Sequence, residues 1–434
     1  LNTHSDHFNG KIRHGGGYGH VYYKTAAMLY NLQYVLGDEL FMRAMKNYVK
    51  TWKIAHPYPE DFRQSIISYT GVDLNWFFDQ WLESTESIDY KISQVSKRKD
   101  SMAISFKRKG DMQMPLDFSV IYKRGDTLNY HIPNKYFEKN TDAEVLDRWT
   151  GWDVLNENYT AVVPMKGKIK EIMIDPSYRL ADVYMPDNYW KKGSVLKFDS
   201  RVSGNRPDRK KYEHFWRPDI WYNRVDGIKA GLHFHGNYLE YKHQYHLTTW
   251  LNTGLLSDYY ENNAFEETEG IQSQDIINFN ASYKTPLSCV NPDFYLDAKG
   301  WLLDGLAGGY LGFQYELENT TLYSGVNIMQ RARSGSDIYS MYPWSVQQWN
   351  NTLRYGLNHR YKYFRGFGNI NFDIANSAFA SDFSFNRFSL EAVNTNFIKK
   401  FTVKTRFYAE YSFGNKLAPE SALYLAGGRP EDAF

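Results

Sequence analysis

The sequence predicts a multidomain chain: an α-helical subdomain, then a β-sandwich, then an antiparallel transmembrane β-barrel. Three observations carry this expectation. Apolar residues recur at three- and four-residue steps near the start and at two-residue steps thereafter, and aromatics make up 17% of the chain although its mean hydropathy is −0.60. Many aromatics in a hydrophilic chain mark a spanning barrel, whose lipid-facing and lumen-facing side chains alternate between two aromatic girdles. The expected divisions of the 434 residues are 1–87 (helical), 88–190 (sandwich) and 191–434 (barrel, read as incomplete).

In the helical part, Tyr22, Ala26, Leu29 and Leu36, with Leu32 beside them, suit one apolar face, and Gly37 stands where a glycine would end that helix. Asp38 is expected to cap a second helix, in which Phe41, Ala44, Met45, Tyr48 and Trp52 recur at helical steps. Pro57 and Pro59 break it, Pro59 opening a third helix over residues 61–69 that Gly71 closes. Asp73 caps a fourth, with Leu74, Phe77, Phe78 and Trp81 on its buried side.

The period then falls to two. Tyr90, Ile92 and Val95 begin one strand, Met102, Ile104 and Phe106 a second, and Leu116, Phe118, Val120 and Tyr122 a third. Gly110-Asp111 and Gly125-Asp126 punctuate them as hairpin turns would, and Asp175-Pro176 closes a last strand. A sandwich of roughly 100 residues suits this pattern.

From about residue 195 onward strand follows strand. Phe401, Val403, Phe407 and Tyr411 alternate with Thr402, Lys404, Arg406 and Glu410, and Ile228, Ala230, Leu232 and Phe234 alternate with Lys229, Gly231, His233 and His235. Such segments approach the roughly 9–11 residues that a tilted strand needs to cross a bilayer. A soluble sandwich would also alternate, but Lys, Arg, Glu and His on the polar side suit a wet or plugged lumen.

With 51 Lys+Arg against 49 Asp+Glu, the balance gives no reason to expect nucleic acid as a partner. Apolar runs are too short for a spanning helix, and Leu1 with no apolar stretch after it suggests that any export signal lies upstream or is removed. Cys289 is the single cysteine, which forbids an internal disulfide. His4, His7, His14 and His20 cluster near the start, yet no H-E-x-x-H occurs, so no metal ligand is assigned within this chain. The histidines of the strands, His233, His235, His243 and His246, read as lumen-facing polar residues. The loop Gly15-Gly16-Gly17-Tyr18-Gly19 could approach a substrate backbone closely, which makes Gly16, Gly17 and Tyr18 candidate substrate-binding residues.

The stretch Tyr22-Tyr23-Lys24-Thr25-Ala26, the helix end Leu36-Gly37, the restart Asp38-Glu39-Leu40-Phe41 and the segment Thr70-Gly71-Val72-Asp73-Leu74-Asn75-Trp76-Phe77-Phe78-Asp79-Gln80-Trp81 stand in that order. Together they resemble the last helices of the catalytic domain in aminopeptidase N-like gluzincins, zinc metallopeptidases, and Ile174-Asp175-Pro176 is similar to the end of the β-domain that follows there. The resemblance covers roughly 170 residues. It implies that Tyr22 donates its hydroxyl to the oxyanion formed during peptide hydrolysis; Tyr23 is the register alternative, and packing at a helix start is the other role open to Tyr22. A donor aimed where charge develops acts on the transition state. The family's glycine after the lysine is Thr25 here, and the zinc ligands and catalytic glutamate are expected upstream of Leu1.

More weakly, residues 218–231 and 423–430 look like parts of surface-antigen-type outer-membrane barrels. The resemblances imply a zinc-dependent, aminopeptidase-like hydrolase anchored in the outer membrane of a Gram-negative bacterium. The expected partners are a peptide or protein substrate, outer-membrane lipid and other outer-membrane proteins. The alternatives are a catalytically inactive scaffold subunit of an outer-membrane assembly and a transport or insertion barrel whose soluble domains only bind.

Overall fold

The computed structural model describes residues 19–150, 156–191, 193–200, 207–223, 227–239, 242–256, 276–288, 290–303, 305–332 and 345–424. Two units emerge: Leu1–Ser194 with Arg209–Lys211, and Val195–Asp208 with Tyr212–Phe434.

The first unit begins with a π-helical turn, Gly19–Lys24, that runs directly into α1 (Thr25–Leu36); α2 (Asp38–Trp52), α3 (Pro59–Thr70) and α4 (Asn75–Leu82) follow. Helix α1 buries Met28, Asn31, Leu32, Tyr34, Val35 and Leu36. Leu32 and Leu36 lie on the covered side as expected, but Tyr22 and Ala26 point outward and Leu29 is half-buried. The helix is apolar nearly all round, so periodicity could not fix its phase. Asp38 does not cap α2 either. It is the first helical residue, and its carboxylate accepts from Gln33 Nε2 at 2.9 Å and pairs with Arg179 at 2.5 Å.

Pro59 opens α3 as expected, where Asp61 accepts the Tyr58 amide at 2.8 Å. Gly71 ends it at φ +66°, a left-handed turn that glycine takes without a Cβ penalty. Asp73 Oδ1 accepts the Asn75 amide at 3.1 Å at the start of α4, which buries Trp76, Phe77, Phe78 and Trp81.

Seven strands follow: β1 (Tyr90–Lys97), β2 (Ser101–Arg108), β3 (Leu116–Tyr122), β4 (Thr127–Ile132), β5 (Glu144–Val145), β6 (Asn158–Pro164) and β7 (Ile169–Ile174). They make two sheets, ordered β1-β2-β6 and β5-β4-β3-β7, which meet where Phe106 packs on Phe118 at 4.9 Å. Gly125 does turn β3 into β4, but Gly110 makes no hairpin, because β2 and β3 belong to different sheets. There the chain passes so close to its own backbone that a Cβ on Gly110 would lie 2.2 Å from the Ser87 carbonyl.

Helices and sandwich share one core, running from Leu32, Ile66 and Phe78 to Phe106, Phe118 and Ile172. Polar ties cross the same boundary. Asn31 Nδ2 donates to the Arg179 carbonyl at 3.1 Å while its Oδ1 accepts the Ala181 amide at 3.2 Å, and Gln80 Oε1 accepts the Gln113 amide at 2.7 Å.

The described residues of the second unit form one sheet of twelve strands: β8 (Ser194–Phe198), β9 (Tyr212–Asn223), β10 (Gly227–Tyr238), β11 (Lys242–Asn252), β12 (Ile277–Pro286), β13 (Phe294–Leu303), β14 (Leu306–Glu316), β15 (Thr320–Arg331), β16 (Thr352–Tyr363), β17 (Gly366–Ser377), β18 (Ser384–Ile398) and β19 (Phe401–Lys416). Each pairs with its sequence neighbour, antiparallel from β9 onward. Among the described residues β8 and β19 are the two edges, with no ladder between them.

The register keeps one parity across the sheet. Leu232, Leu247, Ala281, Gly300, Leu311, Val326, Leu353, Ile374, Phe388 and Tyr411 share one face. Lys229, Asn278, Asp297, Asn327, Arg354, Asp373, Arg387 and Glu410 share the other. The exposure is inverted relative to a protein in water: Leu311 is 56% exposed, whereas Lys229 is 1% and Arg387 0% exposed. Hydrogen bonds satisfy part of this polar side. Tyr323 donates to Asp373 at 2.8 Å, Arg387 Nη1 to the Ser421 carbonyl at 3.0 Å, and Arg406 to Glu391 at 2.6 Å. Cys289 and most of residues 423–430 lie outside the described residues.

Candidate functional site

The π-helical turn is the natural place to look for chemistry, since π segments recur at functional positions. It carries the two tyrosines singled out above. Tyr22 is 65% and Tyr23 72% exposed, and Tyr30 on α1 is exposed as well. Tyr22 therefore contributes little to the core of this unit. Thr25 is also exposed, so its side chain displaces nothing at the start of the helix. Gly16, Gly17 and Tyr18 lie outside the described residues, as do His4, His7, His14 and the side chain of His20.

Lys24, the next residue of the turn, faces the other way and is buried. It lines a cleft of about 150 Å³ with Ala27, Trp81, Glu86, Ile88 and Met112. Four pieces of backbone build this cleft: the π turn with the start of α1, the end of α4 with the segment leading to β1, the loop after β2, and the segment after β7 that carries Ala181 and Val183. Desolvation holds the Lys24 amine below the usual lysine range. Burial, then the charge of Asp111, pushes the Glu86 carboxyl up, against the Ser84 hydroxyl and Arg108. The cleft thus offers one amine and one carboxyl, each shifted toward neutrality, beside an apolar wall. Lys24 carried a signal in its Tyr-x-Lys context; Glu86 carried none, because its partners come from distant segments.

A second cavity, about 390 Å³, lies between α1 and the sandwich and is lined by Tyr34, Asp38, Asp117, Lys139 and Arg179. Asp117 accepts from Lys139 Nζ at 2.5 Å and sits 2.6 Å from His131 Nδ1. Burial pushes its carboxyl up, but the His131 hydrogen bond and the Lys139 charge prevail and hold it below the usual range. These charges are spent on one another, which suits a structural junction.

Among the described residues no group of three or more His, Cys, Asp or Glu side chains could hold a metal ion. With H-E-x-x-H absent from the sequence, the zinc site of a gluzincin cannot be built from these residues.

Residues 18–81 match the peptidase family M1 domain. That span starts at the π turn and ends at Trp81 in the cleft wall. Peptidases of this family are zinc enzymes. No curated protein matches the chain.

Proposed function

We propose that this chain is the C-terminal part of a zinc aminopeptidase carried on an outer-membrane β-barrel of a Gram-negative bacterium. Zinc ligands and the catalytic glutamate come from residues outside it. The observation that carries the peptidase reading is the family M1 match over residues 18–81, which includes the exposed Tyr22 and, of the cleft lining, Lys24, Ala27 and Trp81. In this reading Tyr22 is a catalytic residue whose hydroxyl donates to the tetrahedral oxyanion, and Gly16, Gly17 and Tyr18 flank the substrate backbone. The substrate is a peptide or protein presenting its N-terminus.

The membrane reading rests on the inverted sheet. A twelve-strand surface of exposed Leu, Ile, Phe and Tyr far exceeds the few hundred Å² of apolar patch that soluble monomers tolerate. Lipid is the solvent that suits it, and the enclosed charged face suits a lumen. Closure of the twelve strands into a barrel, by β8 meeting β19 or by further strands, belongs to the same proposal.

Tyr22→Phe in the full-length protein tests the peptidase half. Release of residues from peptide N-termini is expected to lose roughly 10²–10³ in kcat, with KM and membrane assembly nearly unchanged. A chelator is expected to abolish the activity reversibly. Absence of chelator-sensitive cleavage would leave the inactive scaffold as the reading, and Tyr22→Phe would then be silent.

A further inference from the structure

Three turns gather at one end of the sandwich: residues 97–101 between β1 and β2, 122–127 between β3 and β4, and 164–169 between β6 and β7. The third turn passes from one sheet to the other and is bonded to both of the others. The Met165 amide donates to the Asp100 carbonyl at 3.1 Å, and the Lys123 amide donates to the Lys168 carbonyl at 2.8 Å. The hydroxyl of buried Tyr122 adds a tie, donating to the Pro164 carbonyl at 3.1 Å and accepting the Lys166 amide at 3.3 Å.

Basic residues crowd these turns. The first carries Lys97, Arg98 and Lys99, the second Lys123 and Arg124, and the third Lys166 and Lys168, all of them exposed. Against these seven cations stand two carboxylates, Asp100 and Asp126, so the tip holds a net +5 in a chain whose total is +2. Among the described residues none of the seven is paired with a carboxylate, and Lys97 Nζ stands 4.4 Å over the Trp190 ring. Like charges held this close repel one another, and a surface of negative charge relieves that repulsion.

We propose that this tip docks on the anionic headgroups of a lipid membrane surface. It adds a peripheral lipid contact to the membrane reading above, and rests on that reading only for which membrane lies within reach. Clusters of four to eight Lys and Arg are the size that anionic lipid surfaces attract. Five of the seven are lysines, hydrated point charges on flexible stems that suit fluid headgroups and are depleted from specific protein interfaces. From residue 90 to 190 the exposed large apolar side chains among the described residues are Val145, Val162 and Val183, so neither an aromatic anchor for a protein partner nor a ring for a nucleobase is on offer.

The experiment holds the full-length protein in phosphatidylcholine nanodiscs and measures its binding to vesicles. One set is phosphatidylcholine alone, the other an equimolar mixture with anionic phosphatidylglycerol. Wild type is expected to bind the mixed vesicles only, and to be released in about 1 M salt, where the Debye length is about 3 Å. Lys99→Gln, Lys123→Gln and Lys168→Gln combined, one from each turn, are expected to weaken binding roughly 10²-fold, at about fivefold per charge. Lys46→Gln, Lys50→Gln and Lys53→Gln combined lower the net charge equally at exposed positions on and just after α2, and are expected to match wild type. Equal binding to both vesicle types, no binding to either, or a tip variant that binds like wild type overturns the proposal. Wild type that binds polyglutamate but not the mixed vesicles overturns it in favour of an acidic protein partner. Should the protein prove soluble without lipid, the same vesicles are used without discs, so failure of the membrane reading and failure of the docking tip are read apart.

Discussion

The backbone amide of Asp117 on β3 donates to the hydroxyl of Tyr34, a buried residue of α1, at 2.7 Å. Burial raises the phenol well above its usual range, so the hydroxyl stays neutral while its oxygen accepts. Lys139 Nζ stands 4.4 Å over the same ring and also donates to the Tyr34 carbonyl at 3.0 Å. Tyr34 therefore ties the helical segment to the sandwich in three ways, through its hydroxyl, its ring and its main-chain carbonyl.

Tyr34→Phe removes only the first of these ties, because the ring and carbonyl persist. The Asp117 amide is left buried without its acceptor, a loss of about 1–3 kcal/mol. For a unit of this size that is a fall of roughly 2–4 °C in melting temperature per kcal/mol. Near-UV circular dichroism of the full chain during heating reads it. An unchanged melting temperature would mean that water replaces the hydroxyl.

Asp182 should make the first unit lose stability as pH rises. Its oxygens accept the Tyr90 amide at 2.9 Å and the Tyr184 amide at 2.8 Å, yet burial, then the neighbouring Asp89 charge, pushes its carboxyl up to about 8. Below about pH 4 the group is protonated in both folded and unfolded chains and contributes nothing. Between about pH 4 and 8 the unfolded chain releases a proton that the folded one keeps, so stability declines, and above about 8 the decline levels off. Urea midpoints at pH 5 and pH 8 for wild type and Asp182→Asn check this. The wild-type-minus-variant difference must slope downward with pH; a flat or rising difference refutes the assignment.

Leu311→Lys distinguishes lipid from water around the sheet. An exposed leucine on a soluble surface accepts lysine within about ±0.5 kcal/mol. At the midplane of a bilayer the same change costs about 2–4 kcal/mol. The variant is expected to assemble poorly, read as lost heat-modifiable mobility in the membrane fraction, while Ser282→Ala on the polar face of β12 assembles normally. Normal assembly of Leu311→Lys would sink the membrane reading.

Gly110→Ala should destabilise the first unit by about 1–3 kcal/mol or more, through overpacking against rigid neighbours. The added Cβ would meet the Ser87 carbonyl oxygen at 2.2 Å and the Asp89 amide nitrogen at 2.6 Å, both main-chain atoms. The urea midpoint reads the loss; a midpoint equal to wild type would show that this crossing yields freely.

The long alternation of β19 and its neighbours was legible residue by residue, because side chains on a strand change face at every step and backbone geometry alone imposes that period. The ends of α3 were legible for a similar reason, since Pro59 and Gly71 act on backbone groups within a few residues of themselves; at α4 the cap position falls on Leu74, and the expected Asp73 accepts the Asn75 amide from one residue further out. The buried face of α1 was legible only in part: Leu32 and Leu36 were expected on it and Met28 and Val35 were not, because a helix apolar nearly all round leaves its phase to the sandwich beside it. Glu86 beside Lys24, Asp117 on Lys139 and His235 opposite His246 likewise join residues that no local pattern relates. Short-range order follows from rules the chain carries at each residue. Which charges meet, and which face is enclosed, is settled only when distant segments compete for the same buried volume.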